Sequence, residues 1–261
     1  MEPLLHAEKV DLWFGGNHAL SDVSLAVDAG QVLGIIGPNG AGKTSLLNCL
    51  NGFYRPKSGR VVFDGLDLTK KRPHQIARLG LGRTFQNVHL QPEASVLENI
   101  LLGANFRMKA NILAACLYWG PARAEEERER AEVEDVISFL EMEHLRDRPV
   151  GVLPWGQQKL VEIARALVMK PKVLLLDEPS SGMNREEKED IARFIVRMKH
   201  ELGLTQILIE HDARFVADLC DRVVALDFGV VIASGTPTEV LNDPKVIDAY
   251  VGSNTASAST A

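Results

Sequence analysis

The stretch "QVLGIIGPNGAGKTSLLNCL", residues 31–50, decides the fold class of this chain. It opens with a continuous apolar run of the kind found in strands buried on both faces of a parallel sheet. A helical apolar pattern begins near Lys43. Between the two, Gly37 to Thr44 matches G-x-x-x-x-G-K-[ST], the phosphate loop, in the strand-then-helix setting that this motif requires. The stretch therefore predicts a nucleoside-phosphate site at the end of a central strand.

Glycines in such a loop let the backbone curl so that its N–H groups point inward at an anion, and the following helix adds the positive end of its dipole. We expect Lys43 to reach the β and γ phosphates and the Thr44 hydroxyl to ligate Mg²⁺. A glycine-rich turn with an incidental lysine is the alternative, and the flanking strand and helix argue against it. The predicted nucleotide-binding residues of the loop are Gly37, Pro38, Asn39, Gly40, Ala41, Gly42, Lys43, Thr44 and Ser45.

The rest of the chain alternates strand and helix patterns. Apolar runs predict parallel strands at 31–37, 173–177 and 205–210. Helical periodicity predicts helices at 43–52, 133–145, 157–169 and 186–201. Short alternating stretches within 4–27 and 59–64 predict small antiparallel strands. The predicted fold is α/β of the P-loop NTPase type, with a mostly parallel sheet core, an antiparallel β-subdomain and an inserted helical subdomain.

We expect a single domain over residues 1–252, with its core in 1–88 and 166–252 and the helical subdomain in 89–165. The last residues, 253–261, are small and polar, and this composition predicts a disordered tail.

Composition excludes several classes of protein. A formal net charge of -6 argues against a basic nucleic-acid surface. Three scattered cysteines, without C-x-x-C or histidine spacing, indicate neither a disulfide framework nor a zinc site and fit a reduced, cytoplasmic setting. The amino terminus lacks the pattern of a signal peptide, and no run of eighteen apolar residues occurs, so we expect that the chain does not span a membrane by itself.

Two acids and a histidine lie at the carboxyl ends of the other predicted buried strands. In "VLLLDEP", Asp177 is expected to hold Mg²⁺ through water, and Glu178 to orient or deprotonate the attacking water. Two adjacent acids at a strand end are costly without a cation, which disfavours a purely structural role. In "ILIEHD", His211 is placed to hydrogen-bond a γ-phosphate and sense its loss, although a lone histidine is more often structural. Gln86, in "GRTFQN", reads by composition alone as a polar residue at a strand end.

These motifs, together with the helix at 153–167 and "SSGMN" at 180–184, follow the order seen in the nucleotide-binding domains of ABC transporters, and the resemblance runs from Leu4 to about Gly252. Within that superfamily the chain resembles the ATP-binding subunit of bacterial branched-chain amino acid importers. The stretches that carry this resemblance are "FGGNHALSDVSL", "GRTFQN", "LPWGQQKLVEIARAL" and "SGTPTEVLNDPKVIDAYVG".

The resemblance implies roles for further residues. Phe14 matches the aromatic residue that stacks on adenine, with adjacent Trp13 as the alternative and simple packing as the structural explanation for both. Gln86 matches the residue that touches Mg²⁺ or the attacking water and communicates with the membrane subunit. Residues 181–184 match the loop that contacts the opposing subunit, and His211 matches the switch histidine.

The resemblance also implies an assembly at the cytoplasmic face of the inner membrane, to which this chain would attach peripherally. A second ATP-binding subunit, identical or paralogous, would share two ATP molecules with it. Two integral-membrane permease subunits and a solute-binding protein would complete an importer, which closes on ATP and reopens after hydrolysis.

The helix start "LPWGQQ" occupies the place of the ABC signature, usually Leu-Ser-Gly-Gly-Gln, and departs from it at two positions. Pro154 stands where a serine hydroxyl would meet the partner's γ-phosphate, and Trp155 stands in place of a glycine. What remains for the phosphate is the helix dipole and the N–H groups of Gly156 and Gln157. We expect Trp155 to pack at the dimer seam.

Several alternatives stay open. Related ATPases serve systems for urea and short amides, aromatic acids or lipopolysaccharide export. The ATPase of lipopolysaccharide export has a carboxyl-terminal stretch similar to "GTPTE". Soluble ABC proteins of DNA repair or ribosomes usually have coiled coils or tandem domains, which are not visible here. An inactive binding module is disfavoured by intact Glu178 and His211. Gly80 and Gly82 form only a fragment of a dinucleotide fingerprint, which disfavours a dehydrogenase.

Overall fold

The computed structural model of the chain describes residues 2–84, 90–105 and 121–258, with side chains except at 105, 121–126 and 252–258. The described residues fall into two compact units. The core unit comprises the described residues of Met1–Arg83, Lys172–Pro179 and Ala192–Ala261, and the helical unit comprises those of Thr84–Pro171 and Ser180–Ile191.

The strands of the described residues all lie in the core unit. They are β1 Leu5–Phe14, β2 Asn17–Val27, β3 Val32–Ile36, β4 Ser58–Phe63, β5 Leu66–Asp67, β6 Leu81–Arg83, β7 Val173–Asp177, β8 Thr205–Ile209, β9 Arg222–Asp227 and β10 Val230–Gly235.

The helices, labelled in chain order, are α1 Lys43–Leu50, α2 Pro73–Arg78, α3 Val96–Asn105, α4 Pro121–Phe139, α5 Trp155–Leu167, α6 Arg185–Leu202, α7 Ala213–Leu219, α8 Pro237–Leu241 and α9 Pro244–Ala258. No described helix is both long and apolar enough to cross a membrane.

A six-stranded sheet in the order β10-β9-β3-β8-β7-β6 forms the centre of the core unit. Its strands pair in parallel except for β10, which is antiparallel to β9. Every residue of β3, β7 and β8 is buried. This burial explains the uninterrupted apolar runs, because strands covered on both faces need no polar side. The predicted mostly parallel α/β core is confirmed.

A second, antiparallel sheet has the order β2-β1-β4-β5. Its longer strands alternate buried and exposed positions, so one face is apolar and packs on the interior. Leu5 and Leu20 from this sheet belong to one buried cluster with Ile35 of the central sheet and Leu46 of α1. The predicted antiparallel β-subdomain is therefore confirmed.

In the helical unit, α3 packs against α4 and α5. Backbones approach closely at Gly103, where a Cβ atom would stand 2.3 Å from the carbonyl oxygen of Arg165. The predicted helix at 133–145 differs from the structure: α4 ends at Phe139, and a short 3-10 turn follows at Glu143–Leu145. Glu141 has a φ of 58°, and this left-handed backbone does not continue a right-handed helix.

At the carboxyl end, α9 continues to Ala258 and so enters the stretch 253–261 for which composition predicts disorder. The helix is anchored near its start, where Val246 is buried. Alanine, which recurs in this stretch, has the highest intrinsic helix propensity, so backbone preference and anchoring act together.

Candidate nucleotide site

The predicted phosphate site lies at the carboxyl edge of the central sheet. The phosphate loop follows β3, Asp177 is the last residue of β7, and His211 comes two residues after β8. The three strands are neighbours in parallel register, with Ile209 of β8 paired to both Ile35 and Asp177. Parallel strands end at the same edge of a sheet, and this edge is where open α/β folds bind ligands.

Glycines of the phosphate loop adopt left-handed backbone that other residues avoid: φ is 151° at Gly37, 83° at Gly40 and 101° at Gly42. A Cβ atom at Gly37 would stand 2.2 Å from the carbonyl oxygen of Leu226, so this position accepts no side chain. The turn between β9 and β10 braces the loop, because the N–H of Gly229 donates to the Ala41 carbonyl over 2.9 Å. The loop is thus built into the sheet edge.

Lys43 is buried at the first turn of α1, and its Nζ donates to the carbonyl oxygens of Gly37 (2.7 Å) and Pro38 (2.9 Å). Burial lowers the pKa of this ammonium, and the negative charges of Glu178 and Asp177 oppose that shift. A buried cation whose charge is disfavoured gains from an added anion. The curled glycine backbone and the helix N-terminus favour an anion at the same place, so these residues fit a polyphosphate.

Asp177 is almost fully buried and forms an ion pair with Arg83, whose Nη2 lies 2.9 Å from Oδ2 of the aspartate. The Nη1 of Arg83 donates to Oδ1 of Asn48 on α1 over 2.5 Å. One guanidinium therefore joins β6, β7 and α1 beside the predicted metal carboxylate. Thr44 is exposed in the first turn of α1. A hydroxyl and a carboxylate are oxygen ligands of the type that Mg²⁺ takes, so this donor set fits the ion.

The sequence prediction missed Arg83. Its signal in the sequence was the arginine of "GRTFQN", which lies between Gly82 and Thr84. Three residues are too few to show strand periodicity, so β6 and its arginine were not recognised as part of the site.

Glu178 directly follows β7 and has a φ of 47°, in the left-handed region. Its N–H donates to the carbonyl oxygen of Ile209 over 3.0 Å, which ties this turn to β8. The side chain is half-buried. His211 has an exposed imidazole, with Nδ1 3.9 Å from Oε2 of the fully buried Glu210. Gln86, the remaining residue predicted for catalysis, lies outside the described residues.

Both candidate aromatic residues lie at the end of β1, with exposed fractions of 41% for Trp13 and 44% for Phe14. Exposure alone does not separate them, but their ring contacts do. The Trp13 ring stacks on His18, with centroids 3.9 Å apart and planes 9° apart, and Lys57 Nζ lies 5.3 Å from the Trp13 centroid. Phe14 instead makes an edge contact with Tyr54 at 5.0 Å and 78°. A stacked partner therefore already covers Trp13.

The signature stretch belongs to the helical unit. Helix α5 begins at Trp155, with Pro154 in extended backbone as its N-cap. The indole Nε1 of Trp155 donates to the carbonyl oxygen of Ser181 over 3.1 Å. The signature tryptophan is therefore bonded to the loop at 181–184 within the same chain, and Gln157 is half-buried in the first turn of the helix.

Gly156, the other residue predicted to present an N–H group, is buried and donates to Oε1 of Glu187 over 3.3 Å. A Cβ atom at Gly156 would stand 2.7 Å from that oxygen. Glu187 was missed by the sequence prediction. Its signal was the spacing of Asn184 and Glu187, an acidic residue three positions after a capping residue.

Comparison with known proteins agrees with this geometry. A family model described as "ABC transporter" matches residues 20–181, and one described as "Branched-chain amino acid ATP-binding cassette transporter" matches residues 230–255. The high-affinity branched-chain amino acid transport ATP-binding protein BraF of Pseudomonas aeruginosa is 39% identical over 251 residues, spanning 96% of this chain and 98% of that protein. LivG of Escherichia coli, of the same description, is 36% identical over 256 residues, with 96% and 98% covered.

Solved structures of ABC transporter cassettes also resemble this chain over nearly its whole length. The ATP-binding cassette MJ1267 of an ABC transporter, in its ADP conformation, has a TM-score of 0.85 and 36% identity, covering 97% of this chain and 100% of that one. A nucleotide-free cassette of an ABC transporter has a TM-score of 0.84 and 36% identity, covering 95% and 98%. The phosphate loop, the two acids at the carboxyl end of β7 and these likenesses together show that the chain belongs to the ABC transporter family, as an ATP-hydrolysing, nucleotide-binding subunit of the group of branched-chain amino acid transport ATP-binding proteins.

Proposed function

We propose that this chain powers the uptake of branched-chain or related amino acids through separate membrane permease subunits. The observation that carries this proposal is the meeting of Lys43, Asp177 and Glu178 at one edge of the sheet, in a chain whose relatives are named for branched-chain amino acid transport. These three residues supply the ATPase site, and the names of the relatives supply the solute class.

In the proposed site, the N–H groups of the phosphate loop and the Lys43 ammonium bind the phosphates of ATP. Thr44 and Asp177 would hold Mg²⁺, Asp177 through water. When bound, Mg²⁺ neutralises charge on the phosphate oxygens. The Arg83 guanidinium holds the Asp177 carboxylate in place through the ion pair at 2.9 Å.

Glu178 orients or deprotonates the attacking water. Its position supports this role, because the backbone bond to Ile209 fixes the turn and the half-buried side chain follows directly after Asp177. His211, exposed at the neighbouring strand end, hydrogen-bonds the γ-phosphate and responds to its loss. By the family resemblance, Gln86, which lies outside the described residues, would touch Mg²⁺ or the attacking water and communicate with the permease.

We assign adenine stacking to Phe14. Trp13 already stacks on His18, so using it for the base would mean giving up an existing ring contact. Phe14 is equally exposed and has only an edge contact to Tyr54 among the ring pairs of the described residues.

The proposed assembly pairs this chain with a second ATP-binding subunit, either identical or paralogous, at the cytoplasmic face of the membrane. Each ATP is held by the phosphate loop of one chain and by the signature of the other, where Gln157 and the dipole of α5 meet the γ-phosphate. The N–H of Gly156 would have to leave Glu187 before it could join them. Trp155 packs at the seam. Closure on ATP moves the permease subunits, and a solute-binding protein delivers the solute.

The test has two parts. Glu178→Gln is expected to reduce ATP hydrolysis by at least 100-fold, on the order expected for loss of a catalytic carboxylate, while ATP still drives a stable dimer in size-exclusion chromatography. If this variant hydrolysed ATP at the wild-type rate in the assembled transporter, Glu178 would not be the catalytic carboxylate.

The second part identifies the solute. The complex is purified from native membranes, and the co-purifying solute-binding protein and its ligand are identified by mass spectrometry. We expect a branched-chain or related amino acid. A ligand from the urea, amide or aromatic acid classes would correct the solute, and recovery of a lipopolysaccharide bridge protein would overturn the importer proposal.

A further inference from the structure

Tyr250, in the last helix of the described chain, contacts the first residue of the phosphate loop. The N–H of Gly37 donates to the Tyr250 hydroxyl oxygen over 2.9 Å, although 213 residues separate the two in sequence. The phenol is half-buried. Burial raises its pKa, and the hydrogen bond from Gly37 opposes that shift, so the group is a neutral phenol at neutral pH.

Gly37 is held on both of its polar groups. Its N–H is bonded to Tyr250, and its carbonyl oxygen accepts from Lys43 Nζ over 2.7 Å. Behind it, the carbonyl oxygen of Leu226 leaves no space for a side chain. Glycine has the greatest backbone freedom of any residue, and here that freedom is restrained by one hydrogen bond on each side.

The tyrosine is placed by its helix. Val246 of α9 is buried, and α9 contacts both α8 and β10. Strand β10 pairs with β9, whose residue Leu226 lies against Gly37. The carboxyl-terminal segment and the phosphate loop therefore form one continuous packed body within the core unit.

We propose that Tyr250 is a positioning residue for nucleotide binding: its hydroxyl fixes the Gly37 backbone and so keeps the phosphate loop and Lys43 ordered before a nucleotide arrives. This inference rests on the proposed role of the loop in binding phosphates. Without the hydroxyl, part of the ordering of Gly37 has to take place on binding, and this lowers the affinity. We expect chemistry at saturating ATP to be unaffected, because the contact described for the Tyr250 hydroxyl is with the backbone of the loop.

The test is Tyr250→Phe in the full chain, which removes the hydroxyl and keeps the ring. We expect the Kd for ADP and for ATP, measured by isothermal titration calorimetry, to rise about 3- to 10-fold, as for the loss of one neutral hydrogen bond. The turnover number at saturating ATP should stay within about 2-fold of wild type. Val251→Ala is the matched control, since Val251 is the next residue of α9 and is 58% exposed; it should leave the Kd unchanged.

A second measurement separates positioning from a general loss of stability. Hydrogen exchange of the peptide spanning residues 36–42, without nucleotide, should be faster in Tyr250→Phe than in wild type and in the Val251→Ala control. An unchanged Kd together with unchanged exchange would overturn the proposal. If the wild-type chain itself bound no nucleotide, the proposed function would fail instead, so the two failures are distinguishable.

Discussion

Glu187 accepts a hydrogen bond from the backbone N–H of Gly156, and in this way a residue in the first turn of α6 caps the first turn of α5. Its other carboxylate oxygen accepts from the Asn184 N–H over 3.0 Å, while the Glu187 N–H donates to the Asn184 side chain over 3.0 Å. The first turn of a helix has N–H groups without partners inside the helix and favours negative charge. One carboxylate therefore stabilises two helix starts.

Glu187→Ala should lower the free energy of unfolding by about 1–2 kcal/mol, since it removes the carboxylate that accepts from the N–H groups of Gly156 and Asn184. Chemical denaturation of the isolated chain, followed by circular dichroism, measures the change. Glu189→Ala, two residues further along α6, is the control. Glu189 is exposed, and its described ion pair is with Arg185. Equal effects of the two substitutions would mean that the bond to Gly156 contributes nothing.

Gly156→Ala should destabilise the chain because the added Cβ displaces the Glu187 carboxylate and so weakens the hydrogen bonds that this carboxylate accepts. The added Cβ would lie 2.7–2.9 Å from the carboxyl end of Glu187, closer than real Cβ contacts. Because the clash involves Glu187, the cost of Gly156→Ala should fall sharply in a Glu187→Ala background. The free energies of unfolding of the two single variants and the double variant give the coupling energy. Strict additivity would rule out the contact as the cause.

Lys43→Met should weaken nucleotide binding while leaving the empty protein at least as stable as wild type. Burial disfavours the charged ammonium, so an apolar side chain of similar length relieves that cost. We expect the Kd for ATP to rise about 10- to 100-fold, the range for a lost hydrogen bond to a charged group. Calorimetry and thermal melting measure the two effects, with exposed Lys70→Met as the control. Unchanged affinity would count against the phosphate-loop assignment.

Phe14→Ala and Trp13→Ala should differ in their effect on ATP binding. Loss of base stacking costs about 1–3 kcal/mol, so Phe14→Ala should raise the Kd by about 5-fold or more, whereas Trp13→Ala should change it by less than about 2-fold. A fluorescent ATP analogue displaced by unlabelled ATP provides the measurement. The opposite ranking would assign the stacking to Trp13.

The thiols of Cys49 and Cys220 should resist alkylation in the folded protein. Burial raises the pKa of each to about 12, from an ordinary value of 9.0, and the thiolate is the reactive form. In a Cys116→Ser variant at pH 8, iodoacetamide should modify neither thiol until denaturant is added. Since the folded pKa is raised, the stabilisation from the neutral thiols is complete below pH 9 and is lost as the pH rises towards 12. Rapid labelling at pH 8 without denaturant would contradict this.

Much of the fold follows from local pattern. The runs that became β3, β7 and β8 are continuously apolar because both of their faces are covered, and the phosphate loop has a motif with a fixed strand and helix around it. These features depend on residues close in sequence. They predict the sheet edge and the positions of Lys43 and Asp177 within it.

The parts that were missed depend on distant contacts. Arg83 reaches Asp177 across 94 residues, and Tyr250 reaches Gly37 across 213. No periodicity connects such pairs, and the strand of Arg83 has only three residues. Glu187 had a local signal, because it is part of a capping box. Its bond to Gly156 spans 31 residues, and a capping rule for a single helix does not predict such a contact.

The left-handed backbone of Glu178 has a consequence for evolution in the laboratory. A residue other than glycine or asparagine in this conformation costs about 1–2 kcal/mol. A selection for heat resistance alone would therefore favour glycine or asparagine at position 178 and discard the carboxylate. Screens for robust variants of this chain need a simultaneous selection for ATP turnover, or they will enrich proteins that are stable and inactive.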